Sequence, residues 1–139
     1  MNKFYAVFDT NVLVSALMSK RLDSPTVLLL NLVLDGIIVL LYNEEILEEY
    51  KDVLHREKFG FSDERIDILM EVVGTGLNLE RTDSGELFSD PDDAVFYEVA
   101  LSKDGSYVVT GNVKHFPQSP IVVTPAEMLE IIQIAVAKP

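Results

Sequence analysis

Phe4-Tyr5-Ala6-Val7-Phe8-Asp9-Thr10-Asn11-Val12-Leu13 is the stretch whose reading decides the fold. Phe4 to Phe8 is a short apolar run, mostly aromatic or branched, and reads as a buried strand. Asp9, Thr10 and Asn11 then interrupt it, and Val12-Leu13 resume the apolar pattern where a helix should begin. A strand that passes into a helix through polar residues places those residues beyond its carboxyl end. In open α/β sheets that edge is where ligands bind. Asp9 and Thr10 are also good helix caps, so a purely structural role is available to either of them. A cap explains one polar residue but not three in a row.

The same alternation continues along the chain. Ile37 to Leu41 follows the turn signal Asp35-Gly36 and is apolar at every position, as expected of a strand covered on both faces. Tyr107 to Val109 and Ile121 to Val123 read as further strands, and Leu77 to Leu79 as a weak fifth. Helices fall between them. Pro25 to Leu34 is almost wholly apolar and predicts a deeply buried helix, with Ser24 as its cap. Asn43 caps a helix running to about Glu57, and Ser62 one running to about Val73. Asp90-Pro91 opens a helix to about Lys103. Thr124-Pro125 opens the last, with Glu127 completing a capping box. This order predicts one α/β domain over residues 1–139. It should have three layers and a central, mainly parallel sheet of four to five strands.

Composition narrows the chemistry. Hydrophobic residues make up 48 % of the 139 and charged residues 24 %, which argues for a globular chain rather than a disordered one. Without cysteine there is no disulfide, thiol nucleophile or Cys-ligated metal, and with only His55 and His115 there is no three-histidine site. The start of the chain does not read as a signal peptide and no run is long enough to span a membrane, so a cytoplasmic protein is expected. The net charge of −12 is the wrong sign for binding nucleic acid through a broad basic face. Carboxylates gathered to await a cation would account for part of it.

Projection onto a helix sorts the acids that follow Asn43. The apolar stripe is Ile46, Leu47, Tyr50, Val53 and Leu54. Glu49 lies roughly 100° from its centre, while Glu44, Glu45 and Glu48 lie roughly 120–160° away. Glu49 therefore borders the buried face, and the others are solvated. In Asp90-Pro91-Asp92-Asp93, Asp90 is explained as a cap. Periodicity slightly favours Asp92 over Asp93 as the inward residue, although angles are poorly defined in a first turn. Thr110-Gly111-Asn112 again follows a strand. The sheet edge can thus gather Asp9, Glu49, Asp93 and either Asn112 or Thr110. Clustered carboxylates raise one another's pKa, and a divalent cation relieves them. All-oxygen donors suit Mg²⁺ or Mn²⁺.

These residues, in this order, resemble the PIN-domain family, of the kind that serve as toxins in prokaryotic type II toxin–antitoxin pairs. The resemblance is carried by Asp9-Thr10-Asn11-Val12-Leu13, by Asn43 to Tyr50 with Val53-Leu54, and by Asp90-Pro91-Asp92-Asp93 running to Ala100-Leu101. It continues through Val109-Thr110-Gly111-Asn112 with His115-Phe116, and Val123-Thr124-Pro125 with Met128-Leu129. It implies an Mg²⁺- or Mn²⁺-dependent ribonuclease acting on single-stranded RNA. Asp9, Glu49 and Asp93 match the family's acids, with Asp90 as an additional ligand or cap. The resemblance selects Asp93 over Asp92. Asn112 stands where many members have Asp; it keeps a carbonyl donor but removes a charge, which weakens a second metal site. Thr10, Asn11 and Thr110 match the polar residues that surround the acids. Lys20, Arg21, Lys114 and His115 are candidate contacts to RNA phosphates. An antitoxin partner and a homodimer, with Pro25–Leu34 contributing, follow from the same resemblance.

Two other readings compete. An aspartyl-phosphate enzyme would use Asp9, but Asn11 replaces the second Asp of one such signature and no lysine stands at a later strand end. A domain that binds RNA or a protein partner without cutting would fit Asn112 and the negative charge.

Overall fold

The computed structural model describes residues 3–137. Five strands, β1 (Phe4–Phe8), β2 (Ile38–Tyr42), β3 (Leu77–Asn78), β4 (Tyr107–Val109) and β5 (Val122–Val123), form one sheet. Six helices surround it: α1 (Thr10–Met18), α2 (Pro25–Leu34), α3 (Glu44–Leu54), α4 (Asp63–Gly74), α5 (Pro91–Leu101) and α6 (Pro125–Ala137). The strand order is β3-β2-β1-β4-β5, and every pairing is parallel. Ala6, Val7 and Phe8 are all fully buried. Successive strand residues point to opposite faces, so the sheet is covered on both, as its unbroken apolar runs require. The architecture is α/β in three layers.

The chain leaves β1 for β2 and β3 on one side and reaches β4 and β5 on the other. The order reverses between β1 and β4, which puts their carboxyl ends, at Asp9 and Thr110, side by side. α5 packs across β1, β2 and β4 beneath that point, and α3 packs against α5.

Local chemistry sets the element ends. Asn43, Ser62 and Asp90 each cap their helix with a side-chain oxygen, and Thr124 and Glu127 form a reciprocal capping box. Ser24 occupies the cap position of α2, but its hydroxyl caps nothing and is buried without a partner. β2 begins one residue later than the apolar run suggests. Gly36, at φ +78°, sends its amide to Val33, and the Ile37 amide goes to Leu32 to close α2. The helix after Asn43 ends at Leu54 rather than Glu57, because residues 57–59 form a separate 3₁₀ turn. Likewise α5 ends at Leu101 rather than Lys103. Nor is α2 deeply buried. Only Thr26, Leu29 and Val33 are covered, and Leu34 is 60 % exposed, because the helix lies in an outer layer with one side on the sheet and α6 beside it. β3, the weak strand, depends on Gly76. A Cβ there would sit 1.9 Å from the Leu40 carbonyl oxygen, so any other residue would push the edge strand away.

Candidate active site

Asp9 sits at the N-terminus of α1, where it would be expected to cap, but its side chain makes no capping hydrogen bond. Instead the carboxylate is held across the β1–β4 junction. Thr110, itself fully buried, donates its hydroxyl to Asp9 Oδ2 at 2.7 Å and accepts the Asn112 amide at 2.9 Å. Asp9 is only 6 % exposed. Burial pushes its carboxyl above the ordinary value, and Thr110, the Thr10 and Asn11 amides and His115 offset this only in part. Behind it, the buried Tyr50 hydroxyl donates to the Phe8 carbonyl, which ties α3 to the end of β1.

The other acids arrive from two helices. Glu49 is half-buried on α3, while Glu44, Glu45 and Glu48 are exposed, as the helical projection expects. Burial raises the Glu49 carboxyl, and the charges of Asp92 and Asp52 add to the effect against a smaller lowering by Arg56. On α5, Asp93 is the inward residue, with its side chain 16 % exposed, and Asp92 is exposed. The choice of Asp93 agrees with the family resemblance and corrects the slight periodic preference for Asp92. The reason is the cap: Asp90 holds the Asp92 amide at 3.0 Å and fixes the first turn, where angles projected from mid-helix do not apply. Burial pushes the Asp93 carboxyl up to about 6, with the charges of Asp9 and Asp90 adding to it.

Asp9, Thr10, Asn11, Glu49, Asp93 and Asn112 line one cleft of about 230 Å³, together with Asp90, Asp92, Val53, Arg56, Phe96 and His115. His115 Nδ1 lies 3.9 Å from Asp93. Among the described residues, no lysine or arginine forms an ion pair with Asp9, Glu49, Asp90, Asp92 or Asp93. Lys114 and His115 line an adjoining hollow with Glu86, Leu87, Asp90 and Phe116. Lys20 and Arg21 are not brought to the cleft; Arg21 pairs with Asp23 at 3.1 Å. Arg56 does reach it, while also lying 3.4 Å from Asp52. Arg56 is not among the candidates that the sequence singles out. It lies two residues past the end of α3, in extended backbone, so no helical spacing marks it in the sequence.

A family model for the PIN domain matches residues 5–114, a span that contains every acid of the cleft and Asn112. The chain belongs to the PIN-domain family. Membership gives this PIN domain a nuclease-type fold. Neither curated proteins nor solved structures give a match. β5 and α6 lie beyond the matched span, yet β5 extends the same sheet from β4. Among the described residues, no helix is long and apolar enough to cross a membrane.

PIN-domain nucleases generally work with divalent metals. Among the described residues, no three His, Asp or Glu side chains are gathered closely enough to hold a metal ion as they stand. The donor chemistry nevertheless fits a hard cation. Mg²⁺ usually takes only one or two carboxylates directly and keeps several waters. Asp9 and Asp93 meet that need. In addition, Thr10 Oγ1 is buried in the cleft wall with no hydrogen-bond partner, a polar atom left for an occupant to satisfy.

Proposed function

We propose that this PIN domain is a divalent-metal-dependent endoribonuclease acting on single-stranded RNA, and that it is the toxin of a toxin–antitoxin pair in the cytoplasm. The observation that carries the nuclease reading is the pair of largely buried acids, Asp9 and Asp93, lining one cleft with, among the described residues, no lysine or arginine paired to either. Asp9 and Asp93 would hold Mg²⁺ or Mn²⁺, with Glu49 and Asp90 reaching it through water and the Asn112 carbonyl as a neutral donor. The bound ion would supply a Lewis acid that activates water and offsets charge on the phosphodiester. Thr110 orients Asp9 and favours its ionised form against the effect of burial. Arg56, Lys114 and His115 draw the RNA phosphates toward an otherwise repelling edge. Thr10 and Asn11 offer hydrogen bonds at the cleft wall.

The toxin role and its antitoxin rest on the family resemblance. A homodimer is supported by an apolar groove of about 600 Å³ between α2 and α6, lined by Leu28, Leu32, Leu129 and Val136. Asn112 and the net charge of −12 favour a second reading, a PIN domain that binds RNA or a partner without cutting it.

The test is cleavage of a mixed single-stranded RNA pool in Mn²⁺, with EDTA and Asp9→Asn as controls. Cutting that both controls abolish supports the nuclease. Folded protein that binds Mn²⁺ but leaves the RNA intact supports the binding module.

A further inference from the structure

Residues 79–90 join β3 to α5 and supply none of the direct metal ligands proposed above other than the water-linked Asp90 at their end, yet they hold a charge cluster that the nuclease reading leaves unused. Glu98, on α5, is 8 % exposed. Its Oε1 accepts Arg81 Nε at 2.8 Å and lies 2.7 Å from Arg81 Nη2. Its Oε2 accepts both the amide and the hydroxyl of Ser84 at 3.0 Å. The remaining arm of the guanidinium, Nη1, donates to Glu45 Oε2 on α3 at 2.8 Å. One planar side chain therefore bridges the two helices that bring acids to the cleft. Glu49 lies one turn beyond Glu45, and Asp93 lies five residues before Glu98.

The same two helices also meet through the Tyr50 and Phe96 rings, whose centroids are 6.1 Å apart. Apolar ring contacts tolerate slip, whereas a forked guanidinium shared by two carboxylates fixes direction as well as distance. We infer that Arg81 is a positioning residue: by clamping Glu45 to Glu98 it sets the spacing of Glu49 from Asp93 across the cleft. The inference rests on the nuclease reading for its consequence, but the clamp itself can be measured without it.

The chain has no cysteine, so a Cys pair at Glu48 on α3 and Asp104 just past α5, both exposed, takes spin labels without background. Glu45→Ala removes only the α3 arm and leaves Glu98 paired, so it spares the fold; Arg81→Lys keeps the charge but loses the fork. In both, the distance distribution between labels should broaden. The Mn²⁺ concentration for half-saturation should rise about tenfold, at the low end of the range seen when groups that orient metal ligands are removed. For RNA cleavage, kcat should fall while KM holds, and the thermal midpoint of Glu45→Ala should stay near wild type. An unchanged distribution in Glu45→Ala overturns the clamp. A broadened distribution with unchanged Mn²⁺ half-saturation overturns its link to the site. If the wild type neither binds Mn²⁺ nor cuts RNA, the nuclease reading fails; the distance distribution then decides the clamp alone, a wider spread upholding it and an unchanged one overturning it.

Discussion

Asp9 and Glu98 are two nearly fully buried carboxylates in the same fold, at 6 % and 8 % exposure, and they behave in opposite ways. Burial would raise the Glu98 carboxyl. The Ser84 amide, the Arg81 guanidinium and the Ser84 hydroxyl outweigh that and hold it below the ordinary value. Asp9 has the Thr110 hydroxyl, the Thr10 and Asn11 amides and a weak pull from His115, but no arginine or lysine of its own, and its carboxyl stays raised. Burial alone therefore does not mark a site. A buried acid with its own arginine holds two parts of the fold together. Buried acids that share a cleft without one are kept at a cost that a bound cation would remove.

The widest separation between the two regions should appear in activity. Asp9→Asn is expected to lower Mn²⁺-dependent RNA cleavage by about 100-fold or more while the protein stays folded, as judged by circular dichroism. The next effect is on stability and belongs to the other region. Glu98→Gln weakens the pairing with Arg81, and Arg81→Met leaves Glu98 buried without a cation. Each should destabilise the protein by about 1–3 kcal/mol in urea unfolding at pH 7.

The sign reverses at the cleft. The Asp93 carboxyl, pushed up to about 6 from 3.8, holds its proton more tightly in the folded state. The stability it contributes is full below about 3.8 and is lost as pH rises through about 6. Metal-free Asp93→Asn should thus be more stable than wild type at pH 7, by about 1–3 kcal/mol, and should lose that advantage near pH 4. Added Mn²⁺ should raise the thermal midpoint of the wild type at pH 7 and not that of Asp93→Asn. The smallest effect is expected for Asn112→Asp. It adds a negative charge to the cleft, so it should tighten Mn²⁺ binding a few-fold and slightly lower metal-free stability, both readable in one titration series.

Much of this was legible in the sequence for physical reasons that are local. The all-apolar runs at Phe4–Phe8 and within Ile37–Leu41 require cover on two faces, and so imply the parallel sheet. Asn43, Ser62, Asp90 and Thr124 announce helices because their side chains satisfy amides two or three residues away. Glu49 stands out because a mid-helix angle is reliable. Asp93 does not, because the Asp90 cap sets its turn. The apolar composition of α2 overstates its burial, because composition cannot say which layer a helix occupies. Arg81 left no trace at all. Its partners lie 17 and 36 residues away, in a stretch with no periodicity, and only the folded chain brings them together.

The measurement that bears most directly on the account is a calorimetric titration of Mn²⁺ into metal-free wild type, Asp9→Asn and Asp93→Asn at pH 7. Saturable binding to the wild type that is lost or weakened by about tenfold or more in both variants is the expected result. Equal binding by all three, or none by a folded wild type, would contradict the claim that these unpaired acids are a cation site.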